Sequence, residues 1–243
     1  MKLATIFVLS LGAVAAHAQL AGNLHLVQAD DSASGYVNQN FSDFPSFSTG
    51  IGSRFSVGGG ETWNILNVQQ RMFDAGSWIS SGGITSALLT LSKFGSGPSG
   101  SHDPTAFSSG SDIVYSGNVG VSIDNVNGVL FNLTADTSGV SELQGLGSGD
   151  YLVSVVVNAA FGSFGQGYTL LSADTSQDSY ARNPGGGFGV PAGSAWGTLQ
   201  AQFGSAGTQT GLGINGEAIP VPEPASMIAL GLGAMACVRR RRK

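Results

Sequence analysis

Asp150-Tyr151-Leu152-Val153-Ser154-Val155-Val156-Val157 is the most β-branched stretch of the chain, apolar on both faces except at Ser154. Branching at Cβ suits a pleated strand better than a helix, and a strand apolar on both sides needs cover on both. The stretch therefore predicts a central, well-covered β-strand. Outward from it, period-two alternation recurs, so that successive side chains take opposite faces of a sheet. Ile51, Phe55 and Val57 share one face, Val121 and Ile123 alternate with Ser122 and Asp124, and Val129, Phe131 and Leu133 line one side of the next run. Leu89 and Leu91 oppose Thr90 and Ser92 within 84–94, while Leu199, Ala201 and Phe203 align within 196–203. Both of these predict half-buried strands.

Between Val126 and Val129, Asn127-Gly128 supplies two residues that tolerate positive φ, the signature of a tight type I′ hairpin. Gly58-Gly59-Gly60, the run 95–100 and Gly185-Gly186-Gly187 read as loops. The stretch Ser172 to Ala195, with Asn183-Pro184, reads as a surface excursion or a flexible insertion. No segment combines helical periodicity with caps. Short strands, frequent turns and no alternating helices predict an all-β fold, an antiparallel β-sandwich of jelly-roll or immunoglobulin-like type.

Composition divides the 243 residues into three zones: residues 1–18, a Gly-rich acidic body at 19–220, and residues 221–243. The body holds 35 of the 38 glycines, which weakens helices, yet it also holds Trp63, Trp78, Trp196 and most of the Phe. Disordered chains lack such residues, so an ordered, turn-rich domain is expected. Its only basic residues are Arg54, Arg71, Lys93 and Arg182, against fourteen acidic ones. That excludes a nucleic-acid surface, which needs clustered Lys and Arg to displace counterions. The single cysteine, Cys237, lies outside the body, which therefore forms no internal disulfide.

Both ends read as targeting segments. Lys2 gives a positive start, Leu3 to Ala16 an apolar stretch, and Ala16-His17-Ala18 the small-x-small pattern of a signal peptidase site, with the cut between Ala18 and Gln19. At the other end, Pro222-Glu223-Pro224 precedes the apolar run 225–238 and the basic terminus Arg239, Arg240, Arg241, Arg242 and Lys243. As a helix the run reaches about 21 Å at about 1.5 Å per residue, short of a bilayer core of about 30 Å. Basic side chains that snorkel to the headgroups extend it to a transmembrane helix and stop its export, while the prolines keep it from running back into the body.

Pro-Glu-Pro, apolar helix and Arg-rich terminus, in that order and at the very end, resemble the PEP-CTERM sorting signal. The resemblance covers about the last twenty residues. It implies an exosortase-type membrane enzyme that processes the tail near Pro222-Glu223-Pro224, inner-membrane anchorage beforehand, and delivery to the cell surface or extracellular matrix of a bacterium that makes exopolysaccharide.

Chemical motifs in the body are weak. Gly95-Ser-Gly97-Pro-Ser-Gly100 and Gly211-Leu-Gly213-Ile-Asn-Gly216 match G-x-G-x-x-G, but neither opens a helix whose N-terminus would meet a pyrophosphate. No G-x-S-x-G elbow or zinc-ligand spacing occurs. His102-Asp103 in a Gly/Ser-rich stretch reads as a solvated turn more readily than as part of a catalytic triad. Calcium is the one cofactor the loop acids suggest, through Asp30-Asp31 and the pair Asp174 and Asp178, though without EF-hand spacing solvated turn acids are the stronger reading. Trp78 or Tyr180, if exposed, would stack on a sugar; as large aromatics of a β protein they are expected in the core. The expected function is a non-enzymatic, adhesive or structural protein associated with exopolysaccharide, with a carbohydrate-binding module or a carboxylate-dependent hydrolase as the alternatives.

Overall fold

The computed structural model describes residues 19–31, 35–41, 48–74, 76, 84–94, 113–160, 167–173, 179–183, 193–199 and 209–222. Among these the chain is all-β. Its strands are β1 (His25–Val27), β2 (Gly35–Val37), β3 (Gln39–Phe41), β4 (Gly50–Val57), β5 (Glu61–Asp74), β6 (Ser86–Lys93), β7 (Ile113–Asn125), β8 (Leu130–Asp136), β9 (Gly149–Ala159), β10 (Gly167–Leu170), β11 (Ser179–Asn183), β12 (Gly193–Thr198) and β13 (Leu212–Pro220). A 3-10 turn, Ser141–Leu143, lies between β8 and β9.

The strands run in the order β1-β13-β5-β8-β7-β6-β9-β4-β11-β12, antiparallel throughout that path. β7 joins the halves. Its first part, up to Gly120, pairs with β6, and from Val121 it pairs with β8. The sheet thereby curls on itself, and its two halves face one another across one core. Each half also has a divided edge. β5 takes β13 along Glu61–Gln70 and β10 along Met72–Asp74, while β9 takes β4 along Gly149–Ser154 and the short β3 beyond it. The β3–β9 pair is parallel, the exception to the antiparallel pattern.

β9 is the covered central strand that its composition predicts, lying between β6 and β4. Tyr151, Val153, Val155 and Val157 face the core between the halves, and Leu152 and Val156 are buried on the opposite face. Ser154, the polar exception, is satisfied by donating to the Ile51 carbonyl at 2.8 Å. Phe55, Met72, Leu89, Leu91, Phe131, Leu133 and Leu212 are fully buried in the same core. Each such side chain contributes about 1.5–3 kcal/mol by leaving water. Phe55 stacks between Trp63 at 5.8 Å and Tyr151 at 5.4 Å, and the Tyr151 hydroxyl donates to the Gly147 carbonyl, so the polar tip is not orphaned.

Four expectations change on the structure. The hairpin at Asn127-Gly128 exists, and Gly128 has φ 89°, but its loop is wider than a two-residue turn because Asn125 pairs with Phe131. The Asn125 and Asn127 side chains hold it, accepting from Gly128 N–H and Leu130 N–H. Val129 accordingly sits in the loop, exposed, and only Phe131 and Leu133 face the core. Ser86–Lys93 is covered on both faces, since Thr90 and Ser92 are buried as well. The stretch 172–195 is not wholly a surface excursion: it contains β11, paired between β4 and β12. Ala201 and Phe203 lie outside the described residues, and Leu199 is buried just past β12. No described helix is long and apolar enough to cross a membrane; the run 225–238 lies outside the described residues.

Candidate functional site

The sorting tail joins the fold through β13, whose two parts differ. Leu212 and Ile214 are fully buried, held between β1 and β5. The register shifts between Asn215 and Gly216, a bulge opposite Ile65 and Asn67. Beyond it Glu217, Ala218, Ile219 and Pro220 are exposed and pair with β5 alone, since β1 reaches no further than His25↔Ile214. The last backbone bond runs from Val221 N–H to the Gly60 carbonyl at 2.7 Å. Pro222 follows at once. What holds this part down is therefore backbone pairing, each bond worth about 0.5–1.5 kcal/mol net, with no buried side chain.

The other end of the body lies against the same strand. Residues 19–24 cross the outer face of the β13–β5 pair: Ala21 N–H donates to Gln69 Oε1, and Asn215 Nδ2 to the Ala21 carbonyl. Asn132 Nδ2 donates to the Gln19 carbonyl at 3.5 Å, and Leu20 is buried. The Asn23 amide imitates a strand partner, donating to the Gly216 carbonyl at 2.8 Å and accepting Gly216 N–H at 2.9 Å. Glycine is required beneath it. A Cβ at Gly213 would overlap the Ala21 carbonyl, and one at Gly216 the Asn64 carbonyl. The G-x-G-x-x-G match at Gly211 to Gly216 thus lies in a strand approach and the strand itself, where Gly213 admits the crossing segment and Gly216 the close backbone of β5. Gln19, the residue expected to follow the signal cut, begins that segment; Ala18, Glu223, Pro224 and Arg239 to Lys243 lie outside the described residues.

A groove of about 430 Å³ opens where β7 passes from one half-sheet to the other, lined by Leu66, Asn67, Thr85, Ser122, Thr134 and Asp136 among others. Leu66 stands at the bulge and is 41% exposed. Asn67 accepts from Asn215 through Oδ1, which leaves its amide donors to the groove. Asp136 Oδ1 accepts from both Ser138 Oγ and Ser138 N–H. These bonds, the side-chain one foremost, hold its carboxyl below the ordinary Asp range, so it is ionised at neutral pH. Hydroxyls, an amide and a carboxylate beside an apolar wall make a surface suited to a polyhydroxylated ligand.

The acids and aromatics singled out in the sequence sit elsewhere. Both Asp31 oxygens accept from Arg71, Nε and Nη2 each at 2.8 Å, so a calcium ion there would have to displace a guanidinium. Asp174, Asp178, His102, Asp103 and Trp78 lie outside the described residues, which hold no group of three or more metal-type ligands. Tyr180 is buried, with Trp196, Phe94 and Leu152, on the outer face of the β9 half-sheet, and offers no sugar platform. Arg182 lies over the Trp196 ring at 5.1 Å, and desolvation lowers its pKa below the usual Arg value. Arg54 is paired with Asp150 at 3.0 Å.

A compact all-β body whose last strand runs directly into a proline-flanked tail defines a class: folded cargo carrying a C-terminal address. Residues 220–243 match the model of the PEP-CTERM protein-sorting motif. The chain carries that motif, which marks it as an exported protein sorted by exosortase and processed at the membrane. No curated protein and no solved structure matches the chain.

Proposed function

We propose that the protein is a non-enzymatic component of the cell surface or extracellular matrix. Signal peptidase cuts after Ala18, the helix 225–238 with Arg239 to Lys243 as its cytoplasmic stop holds the chain in the inner membrane, and exosortase then processes the tail near Pro222-Glu223-Pro224. The observation that carries this reading is the motif match at 220–243, which begins on the last residue of β13. The absence of a nucleophile elbow and of zinc-ligand spacing in the sequence supports a structural or adhesive role. In a host carrying exosortase, replacing Pro222, Glu223 and Pro224 with Ala is expected to leave full-length protein in the inner-membrane fraction; normal processing of that variant sinks the reading.

The groove at the β7 crossing favours a second reading, a carbohydrate-binding module of the envelope that associates with exopolysaccharide. Asn67→Ala with Asp136→Ala is expected to weaken binding on a glycan array at least about tenfold, the loss of roughly one good hydrogen bond to a polar ligand. Unchanged binding by that variant, or no glycan retained by the wild type, sinks this second reading. The double variant should keep the native circular dichroism spectrum, because both side chains lie outside the core.

A further inference from the structure

While β13 is fully paired, the sorting motif starts one residue past the last backbone bond to the body. Val221 is hydrogen-bonded to Gly60 and Pro222 is the next residue. From Pro220 to Pro222 the chain spans only about 7 Å at about 3.4 Å per residue. An enzyme that acts on a peptide bond takes the backbone extended and unpaired on either side of it, and up to Val221 this backbone is paired to the body. We propose that Glu217–Val221 is a detachable tether, which leaves β5 before the tail is processed. This rests on the sorting reading above.

The division of β13 suits that role. Glu217 to Val221 are exposed, none of them anchored in the core, so their release uncovers only the covered parts of Ile219 and Val221, and their second edge has no described partner strand. Trp63, opposite Ala218, stays in place through its reciprocal backbone bonds with Leu146. Detachment is bounded at the bulge, where the Asn23 amide grips both backbone groups of Gly216, and behind it Leu212 and Ile214 are locked in the core. Releasing Glu217–Val221 adds about 17 Å of reach at about 3.4 Å per residue.

The test uses the full chain in a host that carries exosortase. Thr62 and Ile219 are directly opposite and neither is buried, and the chain's one native cysteine is in the tail, so Thr62→Cys with Ile219→Cys locks the tether by a disulfide. The oxidised double variant is expected to be processed at least about tenfold more slowly, a rise of about 1.4 kcal/mol in barrier. Each single variant, and the reduced double variant, should run at the wild-type rate. Inserting about six Gly and Ser residues between Val221 and Pro222, about 20 Å extended, should restore processing of the locked form. Wild-type processing of the locked form overturns the proposal, as does failure of the spacer to restore it. The Ala replacement of Pro222-Glu223-Pro224 separates the two readings: its normal processing removes the sorting reading itself, whereas the lock bears only on the tether.

Discussion

Asn38→Ala is expected to lower the unfolding free energy by roughly 3–5 kcal/mol, a large share of the roughly 5–15 kcal/mol that holds a domain folded. Asn38 lies between β2 and β3, fully buried, and its side chain is the junction of four strands. Its Nδ2 shares two protons among Gln70 Oε1 on β5 at 3.2 Å, the Val155 carbonyl on β9 at 2.9 Å and Thr169 Oγ1 on β10 at 2.7 Å, while its Oδ1 accepts Ile51 N–H on β4. Removing the amide strands at least three of these groups away from water, each costing about 1–3 kcal/mol and not additively. Gln70 has little slack, since its Nε2 already lacks a partner. Leu at position 38 fills the volume but leaves the same groups unpaired, so it should rescue little. Urea denaturation checks both, and a midpoint within error of the wild type would show that the network does not hold the half-sheets together.

Arg71→Ala should cost roughly 2–3 kcal/mol, below the usual loss for breaking a fully buried pair because Asp31 is about a third exposed. Arg71 sits on the outer face of β5, only 3% exposed, with its fork closed on Asp31 and Nη1 donating to Asn132 Oδ1 on β8 at 2.7 Å. The substitution leaves a carboxylate facing a void and frees the segment after β1. Asp31→Asn keeps one acceptor for the fork and should lose about half as much, roughly 1 kcal/mol. Equal losses in the two variants would mean that packing of the Arg71 stem, rather than the bidentate pair, supplies the stability.

The contrast between β9 and β5 shows what a sequence pattern carries. β9 was legible because burial on both faces writes itself as an apolar run at 151–157 broken only by Ser154. β5, the longest strand and the axis of the other half-sheet, was not, because the bulge at Leu66 shifts its alternation between Ile65 and Val68 and because Gln70 and Arg71 are buried polar residues. β1, β2 and β3 are three residues each, too short to establish a period. Gly211, Gly213 and Gly216 matched a G-x-G-x-x-G pattern, yet each answers a separate close approach, Gly211 to Ala29, Gly213 to the Ala21 carbonyl and Gly216 to the Asn64 carbonyl, and the Ala21 approach spans nearly two hundred residues. The groove draws on positions 66–67, 85, 120–122, 134 and 136, which only the fold brings together. The sorting tail was legible because its signal is local: two prolines, an apolar run and a basic end, in order.

The proposed cutting of the body at both ends is open to intact-mass and terminal-peptide analysis of the protein recovered from hosts with and without exosortase, beside the Pro222-Glu223-Pro224 replacement. The expected chain starts at Gln19 in both hosts and loses Arg239 to Lys243 only where exosortase is present and the motif intact. A chain that keeps Lys243 in the exosortase-positive host, or loses it equally when the motif is replaced, would contradict it.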